Sequence, residues 1–109
     1  MKIVIVDDHA VVRHGLQSAI QSHGYEVVAV AGSINEAKSF MAQTNPDAIF
    51  VDINLPDGSG YELVSWARKV SPTIAIVVLT LNDGADYIRA AKSAGANAFI
   101  VKSAPLSDL

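Results

Sequence analysis

Lys2–Asp8 reads KIVIVDD: four β-branched apolar residues in an unbroken run, then two carboxylates. A short apolar run without polar alternation fits a strand buried on both faces, as in parallel sheets covered by helices on both sides. Three more runs end in the same manner. Asp52 closes AIFV (48–51), Thr80 closes IAIVVL (74–79) and Lys102 closes AFIV (98–101). In an open parallel sheet all carboxyl ends lie along one edge, and ligands bind there in the crevice where strand order reverses. Asp7, Asp8, Asp52, Thr80 and Lys102 are therefore predicted to meet in one pocket. That is the equipment of a phosphorylatable aspartate beside a bound divalent cation.

Between these runs the pattern changes to helical spacing. His9–Ser22 carries Val12, Leu16, Ala19 and Ile20 on one face, with Gly24 suited to the stop. Tyr25–Ala31 (YEVVAVA) reads as a strand. Ser33-Ile34-Asn35-Glu36 is a capping box opening a helix to about Thr44, which Asn45-Pro46 ends. The stretch Ile53–Gly58, holding Pro56, Asp57 and Gly58, reads as a loop. Ser59-Gly60-Tyr61-Glu62 is a second capping box for a helix ending near Val70, and Ala85–Ala94 is a further helix before Gly95. The order is β-α four times and then a fifth strand. Right-handed crossovers make that a doubly wound parallel sheet with helices on both faces.

Composition narrows the classes. At 109 residues and 50% hydrophobic the chain supports one compact domain. No apolar run approaches the roughly 20 residues of a membrane span, and acid follows MKIVIV too early for a signal peptide. We therefore expect a cytoplasmic protein. The lack of Cys excludes disulfides, thiolate catalysis and Cys-ligated zinc. A net charge of −3 with scattered Lys and Arg argues against nucleic-acid binding by this segment.

Each polar strand end has an ordinary reading: Asp7-Asp8 as a solvated turn, Thr80 as a helix cap, Lys102 as a salt-bridge partner. Their recurrence at four strand ends favours a shared site. Carboxylates gathered in a partly desolvated pocket repel one another, and Mg²⁺ suits one or two carboxylates plus waters and a phosphate. A carboxylate attacking a phosphoryl group needs in-line positioning and charge neutralisation more than acid–base help. His9, His14 and His23 show no metal-triad spacing and read as solvated or capping. Gly58 and Gly60 read as turn and helix-entry glycines, since no phosphate-cradling motif surrounds them.

IVIVDDH, VDINLPDGSG, VVLTLND and GANAFIVKSA together resemble the receiver domain of two-component response regulators, over Lys2 to Pro105. DDH and KSA are similar to the NarL/FixJ-type subgroup, whose receivers usually precede a helix-turn-helix DNA-binding domain. The resemblance implies a flavodoxin-like (CheY-like) five-stranded sheet of order 2-1-3-4-5. It implies phosphorylation of Asp52 by a sensor histidine kinase, with Asp7, Asp8, Asp52 and the Asn54 backbone carbonyl holding Mg²⁺. Thr80 and Lys102 would contact the phosphoryl group, and Thr80 with Phe99 would form the switch. On this reading residues 1–109 are a receiver domain and not an enzyme, and a DNA-binding output would lie elsewhere.

Three positions depart from the pattern. Leu81 stands where a small residue is frequent, Phe99 where Tyr is frequent, and Ser103 where Pro is frequent. After Lys102, Ser103-Ala104-Pro105 suits a helix opening, yet only four residues follow, against about 10–14 in an average helix. We expect a fifth helix cut short, one sheet face under-covered, and self-association or a homodimer. Competing readings are a stand-alone phosphorelay receiver, a haloacid dehalogenase-type phosphatase and a degenerate receiver serving as scaffold. The phosphatase reading is weakened at Asp52-Ile53-Asn54, which lacks the second acid such enzymes use.

Overall fold

The computed structural model describes residues 1–80 and 85–101. Its elements run β1 (Lys2–Val6), α1 (Ala10–Ser22), β2 (Glu26–Ala31), α2 (Ile34–Thr44), β3 (Ala48–Asp52), β4 (Asn54–Leu55), β5 (Gly58–Ser59), α3 (Gly60–Val70), β6 (Ala75–Thr80), α4 (Ala85–Ala94) and β7 (Ala98–Val101). Five strands form one sheet in the order β2-β1-β3-β6-β7, every pair parallel. With the small β4–β5 hairpin set aside, that is the expected 2-1-3-4-5 doubly wound, CheY-like arrangement. The reversal of direction falls between β1 and β3.

Two apolar layers hold the sheet. Val4, Val6, Ile49, Val51, Ile76 and Val78 face the larger core with residues of α2, α3 and α4, including Ala37, Leu63 and Ala91. The alternate residues Ile3, Ile5 and Leu79 face the smaller core with Leu16 and Ile20 of α1. The period of two along each strand sends successive side chains to opposite faces, so an all-apolar strand feeds both layers. Among the described residues α1 is the one helix on the second face. Beside it lies an apolar groove lined by Ile3, Ile20, Ala48, Phe50, Ala75 and Val77. That groove is open among the described residues. The expected fifth-helix opening at 103–109 lies outside the described residues.

Local chemistry sets the helix ends. Ser33 is the N-cap of α2, its Oγ accepting the Glu36 N–H at 3.2 Å. Glu36 Oε1 in turn accepts the Gly32 N–H at 2.7 Å, one residue before the position a standard capping box serves. Asn45 ends α2 in the left-handed region at φ 48°. The second box is incomplete. Ser59 Oγ accepts from Tyr61 N–H, not from Glu62. The stretch 53–58, expected as loop, contributes to a hairpin in which Asn54 pairs with Ser59 and Leu55 with Gly58. Pieces of two residues each carry no periodicity, which is why the hairpin leaves no pattern in the sequence.

Candidate functional site at the carboxyl edge of the sheet

Asp7 directly follows β1 and Asp52 ends β3. Val6 pairs with Val51 in register, so the two carboxylates leave adjacent strands at the same level. Both are nearly fully buried, at 0% and 2% exposure, whereas Asp8 is exposed. Ligand atoms of Asp7, Asp8, His9 and Asp52 all lie within 4.8 Å of one another. The structure therefore brings the three predicted acids together. Thr80, also buried, ends β6; its strand neighbour Leu79 pairs with Asp52, and Thr80 itself pairs with Val101. Lys102, Leu81 and Ser103 lie outside the described residues. Phe99 is half-buried on β7 against the larger core.

His9 is the member the sequence reading placed elsewhere. Its backbone begins α1 in an extended conformation with no side-chain cap bond. Its N–H donates to Asp7 Oδ1 at 2.8 Å, and its Nδ1 lies 3.0 Å from Asp7 Oδ1, 3.2 Å from Asp8 Oδ1 and 3.7 Å from Asp52 Oδ2. The available signal was adjacency: a ring one residue beyond two strand-end acids turns back over them as the helix starts. His14 and His23 lie away from this cluster, and His23 Nδ1 contacts the Ala19 carbonyl.

The loop after Asp52 is held close to it. Asp52 Oδ1 accepts the Asn54 N–H at 3.2 Å, and Ile53 N–H donates to the Leu79 carbonyl at 3.2 Å. Gly60 N–H donates to the Ile53 carbonyl at 2.6 Å. A Cβ on Gly60 would stand 2.1 Å from the Asp52 carbonyl oxygen. Gly60 is thus glycine because backbone passes against backbone at the acid, a demand beyond helix entry.

Two groups near the site titrate away from their ordinary values. Asp57 accepts Ile34 N–H and Asn35 N–H at 2.8 and 3.0 Å, and these bonds, the Ile34 one first, hold its carboxyl below the usual carboxylate range. Burial pushes the Tyr61 phenol up, and its hydroxyl donates to the Tyr87 carbonyl of α4.

Carboxylate oxygens converging at one point are hard donors and fit a hard divalent cation such as Mg²⁺. A cation there also relieves the like-charge repulsion of two buried acids. The acidic pocket is consistent with Mg²⁺ binding, with Asp7, Asp8 and Asp52 as its protein donors. The His9 nitrogen is the softer neighbour.

Comparison with known proteins agrees with this geometry. The family described as response regulator receiver domain matches residues 3–109. The oxygen regulatory protein NreC of Staphylococcus haemolyticus is 37% identical over 107 residues, covering 96% of this chain and 49% of that protein. The transcriptional regulatory protein PdtaR of Mycobacterium tuberculosis is 33% identical, covering 99% of this chain and 52% of that protein. The chain thus spans about half the length of these relatives. A LuxR-family two-component response regulator from Aurantimonas superposes with TM-score 0.91 at 32% identity, covering 98% of this chain and 77% of that one. The matches to NreC and to a LuxR-family regulator agree with the NarL/FixJ-type grouping read from DDH and KSA.

Proposed function

Because this chain belongs to the response regulator receiver domain family, we propose that it takes a phosphoryl group on Asp52 from a sensor histidine kinase, with Mg²⁺ required. The observation that carries this is the convergence of Asp7, Asp8 and Asp52 within 4.8 Å at the end of the central strands. In the transfer an Asp52 oxygen attacks phosphorus in line. The P–N bond of the kinase phosphohistidine breaks, and the imidazole leaves with its electron pair and takes up a proton. Bound Mg²⁺ would supply positive charge to the phosphoryl oxygens. Asp7, Asp8, Asp52 and the Asn54 carbonyl would hold it.

The Thr80 hydroxyl and the Lys102 ammonium would contact the equatorial oxygens, and Thr80 with Phe99 would convert phosphorylation into a change of surface. Such a switch works by population shift between two arrangements. Residues 1–109 then serve as the receiver of a cytoplasmic protein whose output is DNA-binding transcription control. Relatives about twice this length, one of them named a transcriptional regulatory protein, support that output. A stand-alone relay is the alternative. Copies would associate through the groove beside α1, and light scattering showing a strict monomer at high concentration would remove that part.

The test of the acceptor is direct. Incubation with acetyl phosphate and MgCl₂ is expected to add one phosphoryl mass to the chain and none to Asp52→Asn. Equal uptake by both would defeat the assignment.

A further inference from the structure

An exposed carboxylate at a turn is ordinarily left to water, yet Asp57 is engaged through both oxygens. It sits at the tip of the β4–β5 hairpin and reaches across 23 residues of sequence to the first two N–H groups of α2, at Ile34 and Asn35. Those are donors that a helix cannot satisfy internally, and a negative charge at this end is favoured by the helix dipole. The third, Glu36 N–H, goes to Ser33 Oγ. The contact is fitted as well as charged. A Cβ on Gly58 would stand 2.9 Å from Ile34 Cδ1, so glycine lets the hairpin close against that buried side chain.

These bonds complete a ring around the acids. Asp7 N–H donates to the Ala31 carbonyl at the end of β2, and three residues later Ile34 begins α2. From Ile34 the connection passes through Asp57 into the hairpin, to Asn54, whose N–H binds Asp52 Oδ1. We propose that Asp57 is a positioning residue for the acceptor site, gripping α2 so that the hairpin holds the Asn54 carbonyl and the Asp52 carboxylate at a set distance from Asp7. The inference rests on the reading of Asp52 and Mg²⁺ given above.

Residues that orient metal ligands commonly matter by about 10–100-fold in affinity, and Asp57 acts through one further link, so the low end, about tenfold, is expected. The test titrates MgCl₂ by calorimetry into the full chain and follows uptake from acetyl phosphate at saturating MgCl₂. Asp57→Ala should weaken Mg²⁺ about tenfold and slow uptake, with Asp57→Asn, which keeps one acceptor oxygen, in between. Ser33→Ala removes a bond at the same helix end without touching the hairpin. It should lower the melting temperature and leave Mg²⁺ affinity unchanged. Wild-type affinity and uptake in Asp57→Ala, or equal weakening by Ser33→Ala, would overturn the proposal while leaving the acceptor reading in place. A wild-type chain that binds no Mg²⁺ and takes no phosphoryl group would end both.

Discussion

The two edges of the sheet handle polar side chains in opposite ways. At the amino edge Lys2, Asp47, Arg68 and Asn97 meet complements. Asp47 accepts the Lys2 N–H at 2.7 Å, and Lys2 Nζ donates to the Thr44 carbonyl at 2.9 Å. Arg68 spreads its guanidinium over the carbonyls of Pro72, Ile74 and Gly95 and the Asn97 Oδ1, which also accepts Ile76 N–H. At the carboxyl edge three carboxylates crowd within 4.8 Å, two of them buried. Like charges at short range raise the energy of the folded chain, whereas the Arg68 arrangement satisfies helix-end and loop carbonyls that would otherwise lack partners. One edge pairs its polar groups, and the other gathers like charges at a cost that a bound cation would reduce.

Breaking either edge should reveal which kind it is. The largest effect belongs to Gly60→Ala, which forces a methyl group to within 2.1 Å of the Asp52 carbonyl. Overpacking typically costs about 1–3 kcal/mol, and backbone yields less than side chains, so a loss of about 3 kcal/mol is expected in denaturant unfolding. Uptake on Asp52 should fail with it. Arg68→Ala should cost about 2 kcal/mol, since several charge-assisted bonds vanish from a partly exposed group. Its Mg²⁺ affinity should nevertheless match wild type. An Arg68 variant with weakened Mg²⁺ binding would erase the division between the edges.

A smaller effect sharpens the same contrast from the other side. A cation bound only by the folded chain stabilises it by about 1.4 kcal/mol at roughly ten times its dissociation constant. MgCl₂ should therefore raise the melting temperature of wild type and of Arg68→Ala alike, and leave Asp8→Asn nearly unmoved. If Asp8→Asn gained as much, the site of stabilisation would lie away from the acids.

The sheet was legible because burial on both faces forces an apolar run, and the acids were legible because they end such runs. KIVIV before Asp7 and AIFV before Asp52 carry both messages at once. His9 was not, because a ring's direction depends on where the helix after it starts. The β4–β5 hairpin was not, because bridges of two residues have no period. Gly60 was legible as glycine but not in its reason, since close approach of Asp52 arises from tertiary packing. Asp57 read as a turn former, while its partners lie in another helix.

The smallest effect is a pH dependence, and it separates the charge of Asp57 from its shape. The Ile34 and Asn35 N–H groups bind the ionised carboxyl and hold its titration below the ordinary range, which in unfolded chains centres near about 3.9. A group depressed in the folded state stabilises at pH above its unfolded value, and that contribution is lost as pH falls through the folded value. The stability gap between wild type and Asp57→Asn, measured by denaturant unfolding from about pH 7 downward, should therefore stay level at first. It should narrow only within and below the carboxylate range. The gap between wild type and Arg68→Ala should show no such narrowing from Arg68 itself, because a guanidinium does not titrate there. A constant Asp57 gap into strong acid would mean that shape alone, and not charge, keeps the hairpin on α2.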